Sequence, residues 1–141
     1  MLILTSCETN QSVFTQEEVE KAVLEIERQA LDSWSVGNPT KMPANFSNDA
    51  SYFDDIAAHT RLDGIEEIQN YFTSLEGAIP PHIYEIVDPR VQSFGNTAIL
   101  TLRYLSTVDG QSGPPWKATS VYHYNDEKWQ VVHAHWSLVK E

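Results

Sequence analysis

Lys128–Val139 reads KWQVVHAHWSLV, the longest run of β-forming residues in the chain, with no glycine or proline inside it. Successive side chains of a strand point to opposite faces. Trp129, Val131, His133, His135 and Ser137 are therefore expected on one face, and Gln130, Val132, Ala134, Trp136 and Leu138 on the other. Both faces mix apolar bulk with hydrogen-bonding groups, so neither is a plain water-facing side. Such a strand belongs inside a sheet, with one face on a core or cavity and the other against a covering layer.

Upstream of it the pattern is also strand-like. His82–Phe94, Thr97–Val108 and Trp116–Tyr124 are separated by Gly95-Asn96, by Asp109–Pro115 and, before the last strand, by Asn125–Glu127. Turns this short force antiparallel neighbours, so these segments and the final strand form a four-strand meander.

The first half is helical. Thr15 and Glu18 fit a capping box, and Val19, Ala22, Val23, Ile26, Ala30, Leu31 and Trp34 form one apolar stripe ending at Gly37. Glu17, Glu20, Lys21, Glu25, Glu27 and Arg28 fall largely off that stripe. Thr40–Phe46 reads as a short second helix and Ser47-Asn48-Asp49 as a turn. Ala50–Ile56 reads as a strand, with His59–Leu62 as a short partner. Asp63 caps a further helix that buries Ile65, Ile68, Phe72 and Leu75, and Gly77 with Pro80-Pro81 ends it. The layout is α+β: a curved, mostly antiparallel sheet wrapped around a long N-terminal helix.

The 141-residue length fits one domain, expected over 14–141 after a flexible tail at 1–13. A formal charge of −11 with no basic run argues against nucleic acid or an anionic membrane as partner. A lone cysteine, Cys7, excludes an internal disulfide framework and a cysteine-rich zinc site. No apolar run approaches the ~18 residues of a membrane span. The tail, MLILTSCETNQSV, resembles the end of a bacterial lipoprotein signal. Either the true start lies upstream, making Cys7 a lipid anchor at the cell envelope, or the segment is a frayed terminus of a cytoplasmic chain.

The element order, with ASYFDD, RLDGIEEIQNYF and KWQVVHAHWS in place, resembles the cone-shaped α+β superfamily. That group includes nuclear transport factor two, the ketosteroid isomerases, SnoaL-like cyclases and the association domain of calcium/calmodulin-dependent protein kinase II. VDPRVQSFG, LRYLSTVDGQ and KWQVVHAHWS resemble the association domain most closely. On that likeness Arg103 falls on one of its pocket arginines, while Ser120 and Trp136 replace two others. The spacing from Phe53-Asp54-Asp55 to Gly64, with AHWS at the end, resembles the ketosteroid isomerases. It implies that Asp55 takes the place of their general base and Trp136 that of a pocket tryptophan. Ser120 and Ala30 then stand where the two oxyanion-hole donors would be, which removes that hole. In this superfamily fold does not dictate reaction.

Carried across the sheet, alternation expects an aromatic-lined cavity holding Asp55, Phe53, Arg103, Trp116, Ser120, Tyr122 and Trp136. Apolar walls with few polar groups suit a small organic ligand. Asp55 either moves a proton while Arg103 holds an anionic or carbonyl group of the ligand, or the two form a buried ion pair in a closed core. The first alternative implies a proton-transfer enzyme of isomerase, cyclase or dehydratase type without a cofactor; the second suits a non-catalytic oligomerisation module. His133 and His135, with His123 beside them, either bind a transition metal or sit in a homodimer interface. No metal is expected. The interface, on the outer sheet face, is expected to include Val131, His133, His135, Val121 and Tyr104.

Overall fold

The structure, a computed structural model, describes residues 13–140; the tail with its candidate lipid anchor at Cys7 lies almost wholly outside them. Helix α1 spans Gln16–Ser35. It begins where the capping box demands: Thr15 Oγ1 accepts the Glu18 N–H at 3.1 Å and the Glu18 carboxylate accepts the Thr15 N–H at 3.0 Å. Its buried line is Val19, Val23, Glu27, Leu31 and Ser35, one residue every four. Glu27, expected beside the apolar stripe, is therefore inside it.

A 3-10 segment, Pro39–Asn45, follows. Strand β1 is Phe46–Asp54, so the expected turn at 47–49 is part of an irregular strand. The short β2, Leu62–Asp63, pairs with it, and α2 spans Ile65–Ser74. Gly64 at φ 88° precedes α2 in place of the expected Asp63 cap, and the Asp63 N–H donates instead to Glu67 Oε2 at 2.8 Å. Strands β3 (Ile83–Phe94), β4 (Thr97–Val108), β5 (Gln111–Ser112), β6 (Trp116–Asn125) and β7 (Lys128–Leu138) complete the chain.

The sheet runs β2-β1-β7-β6-β4-β3, with β5 hanging on β4, so β7 is an interior strand as expected. The sheet is curved, unclosed and mostly antiparallel; β1 and β7 make the parallel pairing. Bulges bend it. On β3 the register slips between Val87 and Arg90, where Asp88 has φ 52° and Pro89 carries no N–H to donate. On β7 Val121 faces His133 while Tyr122 faces Val131, leaving Val132 as an extra residue.

That extra residue corrects the expected faces of β7. Ala134 and Trp136 point inward, but so do Trp129 and Val131, which precede the bulge. On β4 the inward set is Ala98, Leu100, Leu102 and Tyr104. Tyr104 and Val131 thus belong to the core and not to the outer face expected for them, whereas Arg103 is exposed on that face.

Candidate functional site

Three elements fix the mouth of the interior. Gly37, at φ 84°, ends α1, and a Cβ there would stand 3.0 Å from the Ile79 carbonyl oxygen, so only glycine lets the 79–82 connection lie against the helix end. The His82 N–H then donates to the Ser35 carbonyl at 2.8 Å. Across from it, Gly113 packs on Ser106: a Cβ at 113 would meet Ser106 Oγ at 2.5 Å.

Between these lies a cleft of about 230 Å³. Trp34 from α1, Trp116 from β6, Trp136 from β7 and Tyr104 from β4 give it aromatic walls, with Leu31, Met42 and Phe72 behind them. Trp136 meets Tyr104 edge-on at 5.8 Å, and Tyr84 stacks on Tyr104 at 5.2 Å. The polar groups on the wall are His82, Tyr104, Ser106, Tyr52 and the indole N–H groups of Trp34, Trp116 and Trp136, and among the described residues no charged side chain lines it. His82 Nε2 lies 2.5 Å from the Tyr104 hydroxyl and its Nδ1 lies 2.8 Å from the Pro80 carbonyl. Burial, with Tyr84 adding to it, pushes the Tyr104 phenol well above the usual tyrosine range, so it stays protonated.

Trp116 and Trp136 stand where the sequence places them. Ser120 and Tyr122 are also buried, but line a smaller chamber behind Trp136, where the Tyr122 hydroxyl donates to the Glu27 carboxyl. Burial raises the Glu27 pKa, and the Tyr122 bond lowers it in part.

Asp55 and Phe53 are not in the cleft because of a one-residue shift of face on β1, and Arg103 is not because β4 turns Leu102 and Tyr104 inward instead. Tyr52 and Asp54 point inward, which turns Phe53 outward. Asp55 is exposed, and its carboxylate accepts the Leu138 N–H at 2.8 Å, tying the ends of β1 and β7 together. The inward carboxylate is Asp54. Its Oδ1 accepts the N–H groups of Ile56, Ala57 and Ala58 at 2.8, 3.1 and 3.1 Å. Its Oδ2 accepts the hydroxyls of Tyr52 and Tyr71 at 2.8 and 2.6 Å. Burial first, and then the Asp54 charge and hydrogen bond, raise the Tyr52 pKa. Asp54 closes the 54–58 turn and has no free lone pair aimed at the cleft. Arg103 is exposed and faces Lys117 across β4 and β6, and the buried Asp55–Arg103 ion pair, one of the two alternatives, does not form.

On the outer face Phe53 sits against His135 and His133, with ring centroids 4.1 and 5.5 Å away. Ser51 Oγ is 2.8 Å from His133 Nδ1, and burial, then the neighbouring His135, lower the His133 pKa. The Val132 bulge sets His123 opposite Gln130, away from this pair. No group of three metal-ligating side chains forms among the described residues.

Sequence reasoning missed Glu27, Asp54, His82, Tyr104 and Ser106. Glu27 alone left a signal, because it continues the spacing of Val19 and Val23 toward Leu31.

The family model described as the calcium/calmodulin dependent protein kinase II association domain matches residues 19–139. Among solved structures, a candidate ketosteroid isomerase from Parabacteroides distasonis is 28% identical, with a TM-score of 0.73 over 84% of this chain and 86% of that one. The calcium/calmodulin-dependent kinase II hub homology domain of Chlamydomonas reinhardtii is 26% identical, with a TM-score of 0.69 over 86% of this chain and 99% of that one. An NTF2-like protein of unknown function from Pseudomonas putida, 19% identical with a TM-score of 0.78 over 91% and 92% of the two chains, shares the fold. No functionally curated protein matches the sequence.

Proposed function

The chain belongs to the calcium/calmodulin dependent protein kinase II association domain family, and from that premise we propose that it self-associates and holds a small organic ligand in the aromatic cleft of each copy. The cleft carries the ligand half of this reading: about 230 Å³ of space between three tryptophans and a tyrosine, with a few polar atoms at one wall. Apolar walls and a small number of placed polar groups are what small-molecule sites have in common.

The assembly half rests on the family and on the outer sheet face. Phe53, His133 and His135 make a half-buried patch of apolar rings and hydrogen-bonding nitrogens there, suited to a two-fold interface. A proton-transfer enzyme of isomerase, cyclase or dehydratase type needs an acid or base within hydrogen-bond reach of the ligand. No carboxylate lines the cleft among the described residues, so no such step is assigned to Asp55. The reading calls for no cofactor.

Sedimentation velocity at micromolar concentration, paired with a tryptophan-fluorescence titration against indene, tests both halves. Self-associated protein and a saturable fluorescence change are expected, and Phe53→Asp should yield a monomer that still answers to indene. A monomeric wild type removes the assembly half, and an absent fluorescence response removes the ligand half.

A further inference from the structure

We propose that the cleft takes an uncharged ring compound whose hydrogen-bond donor is received by the Tyr104 oxygen, with His82 as the positioning residue that keeps that oxygen an acceptor. The inference rests on the reading of the cleft as a ligand site.

It follows from where the hydrogens must be. The Pro80 carbonyl can only accept, and it lies 2.8 Å from His82 Nδ1, so that nitrogen carries the hydrogen. In the neutral imidazole Nε2 is then bare. It lies 2.5 Å from the Tyr104 oxygen, so the phenol donates to it. A phenol has one hydrogen, and this one is used within the protein. What Tyr104 offers the cleft is lone pairs. Tyr52, the other phenol on the wall, likewise spends its hydrogen on Asp54.

Charge excludes much of the remainder. With no charged side chain on the wall among the described residues, an ionic ligand would lose its hydration without a counter-charge. Ser106, two residues beyond Tyr104 on the same inward face, has a hydroxyl with no hydrogen-bond partner among the described residues. Gly113 has no left-handed φ to explain its lack of a side chain, but a Cβ there would collide with Ser106 Oγ at 2.5 Å. The hydroxyl is thus given room, and since it both donates and accepts it adds a contact without setting polarity. The indole N–H groups of Trp34, Trp116 and Trp136 can only donate, so with Ser106 set aside the side-chain acceptor on this wall is the phenol oxygen fixed by the His82–Tyr104 pair.

Three bicyclic probes of similar size separate the possibilities: indole, which only donates; 1-indanone, which only accepts; and indene, which does neither. Dissociation constants are measured at pH 8 for the wild type, for Ser106→Ala, and for His82→Leu after circular dichroism has shown it folded. The Ser106→Ala protein, stripped of the ambivalent hydroxyl, should bind indole roughly tenfold tighter than indene. In His82→Leu the phenolic hydrogen loses its acceptor and turns to the cleft, so 1-indanone should gain on indole. A merely structural His82 would weaken all three probes alike, and that result overturns the assignment. Equal binding of indole and indene in Ser106→Ala also overturns it, while leaving the cleft as a site. Binding of none of the probes overturns the cleft reading and the inference with it. Independently of any variant, ¹⁵N shifts of His82 should report hydrogen on Nδ1 and a bare Nε2; the opposite tautomer contradicts the proposal.

Discussion

The Tyr104 hydroxyl lies 2.5 Å from His82 Nε2, joining the middle of β4 to the residue just ahead of β3, 22 positions away in sequence. The bond sits where the helix end, the β3 approach and the tryptophan walls converge. His82 is held at three points: its N–H by Ser35, Nδ1 by Pro80 and Nε2 by Tyr104. A ring fixed in this way can orient a ligand, because its own freedom is already lost before binding.

The two adjacent carboxylates at the end of β1 should behave very differently on substitution. Asp54 accepts from three backbone N–H groups and two phenols, and Asp54→Asn sets an amide donor against other donors. A loss of roughly 3 kcal/mol in unfolding free energy is expected. Asp55→Asn is expected to cost under about 1 kcal/mol, since the residue is exposed and the amide oxygen can still accept the Leu138 N–H. Thermal unfolding of the two variants in parallel checks the order; a costlier Asp55→Asn would reverse the assignment of the buried carboxylate.

Glu27 gives the fold a pH dependence with a definite sign. Its carboxyl is raised above the ordinary 4.5 by burial, so the folded chain holds that proton more tightly than the unfolded one. Its contribution is fully present below pH 4.5 and is lost as pH rises through the folded value. Glu27→Gln keeps an acceptor for Tyr122 and removes the titration. The variant should be more stable than wild type at pH 8, with the difference shrinking toward pH 4. A difference that stays constant across that range would place the Glu27 proton elsewhere.

The β6–β7 turn carries avoidable strain. Asp126 and Glu127 both have positive φ, 51° and 64°, as a two-residue hairpin of this hand requires. Glu127→Gly leaves Asp-Gly, the pair such turns favour, and should stabilise by about 1 kcal/mol, raising the midpoint by about 2–4 °C. An unchanged or lowered midpoint would show that the turn is not strained at Glu127.

The parts of this fold that follow local rules were legible. The Thr15–Glu18 cap, the Val19–Leu31 stripe, the meander and the interior position of β7 need only periodicity and turn chemistry. The site was less legible because it depends on where alternation breaks. One unpaired residue at Val132 lets Val131 and Ala134 face the same way, and nothing in QVVHAH marks which residue will be extra. On β1 the match of Asp55 to a general base carried Phe53 inward with it, because the two share a face. Tyr52 won that place because its hydroxyl and the Asp54 carboxylate satisfy each other once buried. Selecting Asp54 over Asp55 required the five donors that surround it, and those come from β1 itself, from the turn after it and from α2.

The cleft itself is tested most directly by residue-resolved ¹⁹F NMR of protein labelled with 5-fluorotryptophan and titrated with indole. The chain has four tryptophans, which makes the experiment self-controlled. Trp34, Trp116 and Trp136 line the cleft, whereas Trp129 packs against Phe14 and Tyr124 away from it. Single Trp→Phe variants assign the resonances. Saturable shifts of the Trp34, Trp116 and Trp136 signals with a common dissociation constant and a stationary Trp129 signal are expected. Shifts led by Trp129, or no saturable shift at the other three, would contradict the cleft as a ligand site.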